Sequence, residues 1–588
     1  MATRKLSGSE IIIKSLVDAG VDTIFGYPGG AVLPIYDALF KQNRLKHVLV
    51  RQEGGAVHMA EGYARSTGKL GVVLVTSGPG ATNAVTGLTD ALMDSIPVLC
   101  LTGQVPTHLI GNDAFQEADT TGITRPCTKH NYLVRAVEDL ANIMQEAMYV
   151  SQSGRPGPVV IDLPKDVLIN ETQNVSAKKP AAIHKTYRPR IKGESAKIRE
   201  AVELIAKAER PLFYCGGGVI NSGPRGSKLL TELVHMTGYP ITLTLMGLGA
   251  FPAIDKQFLG MVGMHGTYES NLAMHDCDVM INIGARFDDR VTGLIEKFSP
   301  ESKKIHVDID QSSINKNVEV DIPIVGDCAS VLAEMIKVWK ESRPHRNIKA
   351  QKSWWNKIEK WRKRDCLAYN ASKNLIKPQY ALERLQALTK DRDTYITTEV
   401  GQHQMWAAQF LKFNSPNRWM TSGGLGTMGY GFPAAIGVQV AHPKATVIDV
   451  AGEASFLMNI QEMSTAVQYR LPVKVFILNN EYMGMVRQWQ ELLYGGRYSE
   501  SYTASLPDFV KLAESYGAAG LRATNPGEVD EVITEMLNND RFTIVDIAID
   551  KSENCFPMIP SGAPHNEMLL GPDDEAKKPT SEEGMVLV

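Results

Sequence analysis

The feature that most constrains this fold is a strand, glycine turn, helix and strand within residues 446–482. The apolar, β-branched run 447–450 predicts a buried strand, and Gly452 ends it at a turn. A helix is predicted next, because apolar side chains recur at spacings of three and four: Phe456, Ile460, Met463 and Val467. Pro472 stops that helix, and 473–478 predicts the next parallel strand. Such a unit is typical of a doubly wound α/β domain.

Both ends of this unit carry groups suited to a metal-bound diphosphate. Glu453 follows the glycine turn and Asn480 follows the second strand, so both lie beyond the carboxyl ends of parallel strands, where ligands bind. Carboxylate and amide oxygens are the ligands that Mg²⁺ prefers, and the N–H groups that open a helix bind anions. These residues predict a diphosphate held through a divalent metal. An ordinary α/β turn without a metal is the alternative.

Length and composition exclude several classes of protein. The 588 residues suffice for about three or four domains, and 44% hydrophobic with 22% charged residues is typical of a globular protein. A net charge of −3 gives no reason to expect a nucleic-acid partner. No long apolar run is present and residues 1–9 lack a signal sequence, so we expect a cytoplasmic protein without a membrane span. The cysteines lack Cys-x-x-Cys spacing, which argues against zinc and disulfides.

The N-terminal part of the chain carries a second candidate site. Residues 10–25 predict a helix and a short strand, and residues 26–31 predict a turn where backbone can approach a ligand. The strand 48–50 ends just before Glu53, and two glycines then open the next helix. Glu53 therefore occupies a position suited to a site residue or to a helix N-cap. Residues 72–101 repeat the order strand, glycine turn, helix, proline, strand, which suggests a similarly wound α/β domain at each end.

The middle of the chain predicts a nucleotide-binding domain. The strand 211–214 meets three glycines, although the full G-x-G-x-x-G pattern is absent. The strand 279–283 leads to two arginines within 285–290, and Asp308 and Asp327 follow later strands. Arginine offers a fork to a pyrophosphate, and carboxylates at strand ends accept from ribose or ribityl hydroxyls. The alternative is a degenerate domain that binds no nucleotide.

The third part of the chain combines a glycine-rich loop with an aromatic residue. Residues 422–431 are too rich in glycine to be regular, so their backbone can wrap closely around a cofactor. Met428 would be an unusual exposed apolar residue there unless it packs on something. Trp489, within 483–489, either packs in the core or lines a pocket.

These segments resemble the acetohydroxyacid synthase (acetolactate synthase) family of thiamine-diphosphate enzymes. The stretch from Gly452-Glu-Ala to Asn479-Asn480 is similar to the thiamine-diphosphate signature, with Glu453 in place of the usual aspartate. Residues 51–65 resemble the segment that carries the family's catalytic glutamate, which aligns with Glu53. Further segments resemble the family's FAD-binding domain and its catalytic subunits: 263–266, 285–290, 483–489 and 556–562. The resemblance covers nearly the whole chain, from about residue 6 to about residue 565.

The resemblance implies an α/β fold of three doubly wound parallel-sheet domains and a C-terminal tail. The expected parts are a pyrimidine-binding domain at 1–180, a central FAD-binding domain at 199–342, a diphosphate- and magnesium-binding domain at 372–550, and the tail at 551–588.

The resemblance also implies a thiamine-diphosphate-dependent transferase. Members of this family decarboxylate pyruvate and transfer the hydroxyethyl unit to a second pyruvate, giving 2-acetolactate, or to 2-oxobutyrate, giving 2-aceto-2-hydroxybutyrate. This is the first common step of valine, leucine and isoleucine biosynthesis. The implied cofactors are thiamine diphosphate, Mg²⁺ and a structural FAD, and the implied assembly is a homodimer or homotetramer with a small regulatory subunit. The alternatives are a glyoxylate carboligase, a pyruvate-oxidase-like enzyme and a non-catalytic flavin-binding paralogue.

Residue by residue, the resemblance assigns roles to positions of this sequence. It implies catalytic roles for Glu53, Gln116, Lys165, Met428 and Trp489. It implies thiamine diphosphate contacts at Gly30, Glu53, Gln402, His403, Gly426, Met428, Gly452, Ala454 and Ser455. It implies flavin contacts at Arg155, Gly217, Thr244, Leu245, Met264, His265, Gly266, Arg286, Asp308 and Asp327. The implied metal ligands are Glu453, Asn480 and Tyr482.

Overall fold

Three parallel β-sheets form the framework of the protein. The computed structural model describes residues 5–173 and 186–572, and within these ranges each of the three large sheets has six strands. Every ladder inside these sheets is parallel, and helices connect the strands. The expected fold of three doubly wound α/β domains is confirmed.

The N-terminal domain contains a six-stranded sheet and a short antiparallel strand pair, Leu6–Ser7 with Glu171–Thr172. In spatial order its strands are Lys46–Leu49, Thr23–Gly26, Gly71–Val75, Val98–Gln104, Val159–Pro164 and His130–Leu133. Its helices are Gly8–Asp18, Leu33–Phe40, Glu53–Thr67, Pro79–Asn83, Val85–Met93, Thr120–Thr124, Val137–Gln152 and Lys165–Ile169, with a 3-10 turn at Thr107–Leu109.

The middle sheet has the strand order of a dinucleotide-binding fold. In spatial order its strands are Phe258–Met261, Ile241–Leu243, Pro211–Cys215, Val279–Ile283, Lys303–Asp308 and Ile322–Val325. Numbered along the chain, this order is 3-2-1-4-5-6. Its helices are Ser195–Lys207, Gly217–Asn221, Pro224–Thr237, Tyr268–Asp276, Asp289–Thr292 and Cys328–Ser342, with 3-10 turns at Leu245–Gly247, Ile295–Lys297 and Gln311–Ser313.

The C-terminal sheet repeats the topology of the N-terminal one. In spatial order its strands are Trp419–Met420, Thr394–Thr398, Thr446–Ala451, Lys474–Asn479, Thr543–Ala548 and Ala519–Ala523. Numbered along each part of the chain, both sheets have the order 2-1-3-4-6-5, so the prediction of two similarly wound domains is confirmed. Its helices are Pro378–Thr389, Gln402–Phe410, Gly431–Ala441, Glu453–Leu457, Met463–Gln468, Gly484–Leu493, Phe509–Ser515 and Val529–Asn538, with 3-10 turns at Ile460–Glu462 and Pro526–Glu528.

The single helix predicted through Phe456 and Val467 is wrong. The segment instead forms a short helix, a 3-10 turn and a second helix, and the break falls at Asn459, whose φ of −128° and ψ of 30° leave the helical region. The Asn459 amide donates to the carbonyl oxygen of Gly429 at 2.6 Å. The break therefore joins this segment to the glycine-rich loop, a tertiary contact that apolar spacing does not encode.

The two outer domains pack directly on each other through one pair of helices. A side chain at Gly62 of the helix Glu53–Thr67 would overlap the backbone of Ala434, and one at Gly437 would overlap the backbone of Met59. Glycine therefore allows the two helices to approach closely. This contact fixes the two outer domains relative to each other.

A helix at Ile348–Arg362 leads from the middle domain to the third. Trp354 is buried and its Nε1 donates to the carbonyl oxygen of Pro211 at 3.1 Å, which holds this helix on the middle sheet. The predicted domain limits stay predictions, and the limit at residue 180 and the tail after residue 572 lie outside the described residues. None of the helices in the described ranges has the length and apolarity needed to cross a membrane.

Candidate active site

The N-terminal candidates lie along one edge of their sheet. Gly30, Glu53, Gln116 and Lys165 follow the carboxyl ends of four different strands of the N-terminal sheet. Ligands of parallel sheets bind at this edge. The structure thus brings to one edge four residues that are far apart in sequence.

Glu53 is the first residue of its helix, and its surroundings fix it. Gln52, not Glu53, is the N-cap, because the Gln52 side chain accepts from the backbone N–H of Gly55 at 3.0 Å. The Glu53 carboxylate accepts from Asn83 Nδ2 at 2.9 Å. The buried Glu462 of the C-terminal domain accepts from the backbone N–H of Gln52 at 2.9 Å. The carboxylate of Glu53 is therefore not the helix cap, and among the described residues it forms no ion pair.

The predicted metal ligands meet at the carboxyl edge of the C-terminal sheet. Glu453 is 1% exposed, and its Oε1 has no hydrogen-bond partner among the described residues. Burial raises the pKa of Glu453 to about 7, although the backbone N–H groups of Asn480 and Tyr482 oppose the shift. Asn480 Oδ1 accepts from the Tyr482 N–H at 3.1 Å. A buried carboxylate oxygen without a donor, beside an amide oxygen, fits a divalent cation.

A cavity of about 60 Å³ lies beside these ligands, at the point where the order of the C-terminal strands reverses. Of the predicted thiamine diphosphate and metal contacts, it is lined by Gln402, His403, Met428, Gly452, Glu453, Ala454, Ser455, Asn480 and Tyr482. A side chain at Gly452 would meet the His403 ring at 2.7 Å, so only glycine fits there. Burial lowers the pKa of His403 to about 3, and its Nε2 has no partner in the described chain. The neutral imidazole can therefore contact a ligand in this cavity.

A second cavity, of about 590 Å³, lies at the reversal point of the middle sheet, between the loops that follow its strands Pro211–Cys215 and Val279–Ile283. Its volume is within the range of about 300–1,000 Å³ typical of cofactor sites. Nine predicted flavin contacts line it: Arg155, Gly217, Thr244, Leu245, Met264, His265, Arg286, Asp308 and Asp327. The tenth, Gly266, does not line it and instead makes a tight turn, in which a side chain would meet the Met261 carbonyl oxygen at 2.7 Å.

The walls of the larger cavity carry polar groups that fit an anionic nucleotide. Arg155 lies 3.3 Å from Asp310, and Arg286 lies 3.6 Å from Asp288, so each guanidinium is held at the wall with donors to spare. The Nδ1 of His265 contacts the Pro557 carbonyl oxygen at 3.0 Å and therefore donates to it. Its buried Nε2 then accepts, yet finds no donor in residues 5–173 or 186–572. These groups fit the phosphates and the ring or ribityl donors of a flavin nucleotide.

The glycine-rich loop and one helix separate the two cavities. Met428 lines both cavities, and Gly426 lines the larger one. Trp489 and Val486, one turn apart on the helix Gly484–Leu493, also line the larger cavity. Trp489 is thus a wall residue and not a member of the core, which was the alternative open from sequence.

Within one chain the N-terminal candidates are not brought to the cavities. Gly30, Glu53, Gln116 and Lys165 line neither the 60 Å³ nor the 590 Å³ cavity. The smaller cavity is also well below the volume of a complete cofactor site. In the described chain, the N-terminal candidates and the smaller cavity therefore lie apart.

Sequence reasoning missed three carboxylates around the glycine-rich loop. Asp90, Asp94 and Glu399 each accept hydrogen bonds from this loop. Asp90 lies within the helix Val85–Met93 and Asp94 follows its last residue, one turn later. Two acidic residues at that spacing beside buried apolar residues are the signal that could have found them.

Comparison with known proteins agrees with this architecture. Residues 6–123 match the thiamine pyrophosphate enzyme N-terminal TPP binding domain, residues 198–335 the central domain, and residues 399–547 the C-terminal TPP binding domain. Fold and matches together define the class as thiamine pyrophosphate enzymes.

Relatives that match over nearly their full length show which family within this class the chain resembles. The chain is 50% identical over 569 residues to the acetolactate synthase isozyme 3 large subunit of Escherichia coli (strain K12), covering 96% of this chain and 98% of the relative. It is 52% identical to the acetolactate synthase large subunit of Buchnera aphidicola subsp. Schizaphis graminum, with the same coverage of 96% and 98%. It is 46% identical to the acetolactate synthase of Mycobacterium bovis, covering 97% of this chain and 92% of the relative. The chain belongs to the acetolactate synthase large-subunit family.

Proposed function

We propose that this chain decarboxylates pyruvate and transfers the hydroxyethyl unit to a second pyruvate or to 2-oxobutyrate, which gives 2-acetolactate or 2-aceto-2-hydroxybutyrate. This is the first common step of branched-chain amino-acid biosynthesis. The observation that carries the proposal is the likeness to acetolactate synthases over 96% of the chain. The names of these relatives favour this activity over a glyoxylate carboligase, a pyruvate oxidase or a non-catalytic paralogue.

Thiamine diphosphate and Mg²⁺ would occupy the smaller cavity and its open side. Glu453, Asn480 and Tyr482 would hold the metal, and residues of the same cavity would hold the diphosphate: Gln402, His403, Gly452, Ala454 and Ser455. When bound, thiamine diphosphate supplies the electron sink that allows pyruvate to lose CO₂. The unpartnered Glu453 Oε1 and His403 Nε2 support this placement.

The chain's own residues would shape the site and hold a proton. The carboxylate of Glu53 would hold the proton at a pyrimidine ring nitrogen of the cofactor. Met428, which lines both cavities, would contact the cofactor between them. Trp489 would form one wall of the space for the second 2-oxo acid. Gln116 and Lys165 lie on the same sheet edge as Glu53, which supports a substrate-facing role for them.

FAD would occupy the larger cavity. The reaction involves no net oxidation or reduction, so the flavin would serve as a structural group there. The dinucleotide-type strand order, the cavity of about 590 Å³ and the unpartnered His265 Nε2 support this assignment.

A second copy of the chain would complete the site. In a two-fold dimer, the N-terminal edge that carries Glu53 would close the open side of the partner's smaller cavity. The absence of the N-terminal candidates from both described cavities supports this arrangement. A homodimer or homotetramer, a small regulatory subunit and a cytoplasmic location remain part of the proposal.

The proposed activity is tested by product analysis after the cofactors are removed and restored. Purified protein is stripped by dialysis against a chelator and then supplied with thiamine diphosphate, Mg²⁺ and FAD, together and with each omitted. We expect CO₂ release and 2-acetolactate from pyruvate only when all three are present. Hydrogen peroxide or acetate would indicate oxidase chemistry, and the absence of any product would contradict the proposal.

The substitution Glu453→Gln is expected to have opposite effects on metal binding and on cofactor-free stability. The neutral amide is a weaker Mg²⁺ ligand, so the apparent Mg²⁺ affinity should fall about tenfold or more. Because burial raises the pKa of Glu453 to about 7, the cofactor-free wild type loses stability as pH rises from about 4.5 through about 7. The Glu453→Gln variant has no carboxylate to ionise there. Its free energy of unfolding without cofactors should therefore exceed that of the wild type by about 1–3 kcal/mol at pH 8, but not at pH 4.

Two measurements check this prediction. Mg²⁺ titrations by calorimetry give the affinity, and denaturant unfolding of the chelator-treated protein gives the free energy at both pH values. A variant with unchanged Mg²⁺ affinity would remove Glu453 from the metal site.

The substitution Trp489→Leu is expected to change the choice of the second substrate. Removal of a flat aromatic wall should alter the discrimination between a methyl and an ethyl acceptor by about 1–3 kcal/mol. Product ratios under competing pyruvate and 2-oxobutyrate measure this change. Trp355→Leu, a half-buried tryptophan that lines neither cavity, is the matched control and should leave the ratio as it is. An unaltered ratio in the Trp489 variant would exclude it from the acceptor site.

A further inference from the structure

The glycine-rich loop that carries Met428 has no regular structure of its own. It runs from Ser422 to the start of the helix Gly431–Ala441, and its backbone N–H groups need acceptors from elsewhere. Met428 lines both cavities, so a shift of this loop would change both. The acceptors that hold the loop therefore decide where Met428 lies.

Asp94 of the N-terminal domain holds the first part of the loop. It caps the C-terminal end of the helix Val85–Met93, and its two carboxylate oxygens accept from the backbone N–H groups of Gly423 at 2.9 Å and Gly424 at 2.7 Å. A side chain at Gly424 would meet both Asp94 and Met93 at 2.8 Å, so glycine permits the close approach. Hydrogen bonds to a carboxylate are stronger than those between neutral groups.

Asp90, one turn earlier on the same helix, holds the base of the loop. Its Oδ1 accepts from the hydroxyl of Ser422 and from the hydroxyl of Thr427 at 2.9 Å. The Ser422 hydroxyl oxygen in turn accepts from the Thr427 N–H at 2.8 Å. The other oxygen of Asp90 has no hydrogen-bond partner among the described residues, and ligand atoms of Asp90, the buried Glu61 and His58 lie within 4.8 Å of one another.

A third carboxylate holds the loop beyond Met428. Glu399, at the end of a strand of the C-terminal domain, accepts from the backbone N–H groups of Gly429 at 2.6 Å and Phe432 at 3.0 Å. Met428 thus lies between an anchor from its own domain and an anchor from the N-terminal domain. The helix pair at Gly62 and Gly437 already joins the two domains, so Asp90 and Asp94 are not needed for that contact.

We propose that Asp94 is a positioning residue that holds Met428 at the cofactor from the N-terminal domain of the same chain, on a loop whose base is bonded to Asp90. This inference rests on the proposed function, since the value of the position is the binding of thiamine diphosphate. Neither aspartate lines the smaller cavity at Glu453, whereas Asp94 lines the larger cavity beside the loop that it holds.

The two aspartates provide a matched pair of variants. Asn at position 94 offers one oxygen where two N–H groups need acceptors, so one N–H loses its partner. Asn at position 90 keeps one oxygen that can accept from both hydroxyls. Each change replaces an aspartate with the isosteric amide, and the two positions differ in whether that amide can still accept every hydrogen bond from the loop. We call the two hydrogen bonds from the backbone of Gly423 and Gly424 to Asp94 the Asp94 clamp. If this clamp holds the loop in place, the loop should become looser in Asp94→Asn and should keep its position in Asp90→Asn.

Two readouts test the clamp in the protein supplied with FAD and Mg²⁺. We expect the Kd for thiamine diphosphate, measured by calorimetry, to rise about tenfold in Asp94→Asn, which corresponds to about 1.4 kcal/mol, and to change less than about threefold in Asp90→Asn. Hydrogen exchange of the peptide 422–429 should be about tenfold faster in Asp94→Asn, whereas that of 431–441 should not change. Asp162→Asn controls for the loss of a buried carboxylate in the same domain, because Asp162 is 1% exposed and contacts Thr102 and Gln104.

A second variant keeps the proposal testable if Asp94→Asn does not fold. Gly424→Ala would press against Met93 and Asp94 and should give the same rise in Kd and faster exchange of 422–429. Wild-type values of Kd and exchange in both Asp94→Asn and Gly424→Ala, or an equal loss in Asp90→Asn and Asp94→Asn, would overturn the proposal. A wild type that binds no thiamine diphosphate would instead overturn the proposed function, and the exchange of 422–429 would still report on the clamp.

Discussion

Glu53→Gln is expected to lower kcat for acetolactate formation by about 10² to 10⁴ while thiamine diphosphate still binds. The amide has the size of the carboxylate and its oxygen can still accept from Asn83, which lies 2.9 Å from Glu53 in the wild type. It cannot hold the proton that the carboxylate would hold. Steady-state kinetics at saturating cofactor gives kcat, and calorimetry gives the Kd of thiamine diphosphate.

Glu138→Gln makes the same change at an exposed position of the N-terminal domain, on the helix Val137–Gln152, and should leave kcat unaltered. Turnover of Glu53→Gln close to that of the wild type would remove Glu53 from the mechanism. A loss of cofactor binding without a loss of kcat at saturation would make Glu53 a binding residue only.

Two inactive variants are expected to restore activity when they share a dimer. The helix contact at Gly62 and Gly437 fixes the outer domains of one chain, and in that arrangement Glu53 lies in neither cavity. If the site forms between chains, a dimer of Glu53→Gln with Glu453→Ala contains one site with both intact residues and one with neither. Such a dimer should reach up to about half of the wild-type kcat.

The experiment requires isolated mixed dimers. The two variants carry different affinity tags, are mixed under conditions that exchange subunits, and are purified over both tags in turn. Each variant alone should stay at its low activity. Mixed dimers as inactive as their parents would show that Glu53 and Glu453 act within one chain.

Much of the fold could be predicted because its signals are local. The apolar run 447–450 and the run 473–478 became the strands Thr446–Ala451 and Lys474–Asn479. The glycine turns and prolines of the two outer domains repeat at nearly equal spacing, and both sheets have the same strand order. Strand periodicity and turn chemistry depend on neighbouring residues, so sequence carries them well.

The parts that escaped prediction depend on contacts between distant residues. The helix break at Asn459 follows from its bond to Gly429, and the anchoring of Gln52 by Glu462 spans the two outer domains. The clamp of Asp94 on Gly423 likewise joins residues 329 positions apart. No spacing pattern within a single segment records such pairs. Gly266, for which the resemblance implies a flavin contact, forms a tight turn beside the larger cavity, and that contact stays a prediction.

A structure of the protein crystallised with thiamine diphosphate, FAD and Mn²⁺ in place of Mg²⁺ tests the composition of the site directly. The anomalous signal of Mn²⁺ locates the metal. We expect one peak per chain within about 2.0–2.3 Å of the Glu453 carboxylate and the Asn480 amide oxygen, with the cofactor's pyrimidine ring at Glu53 of a second chain. A peak elsewhere, or a pyrimidine ring at Glu53 of the same chain, would contradict this assignment.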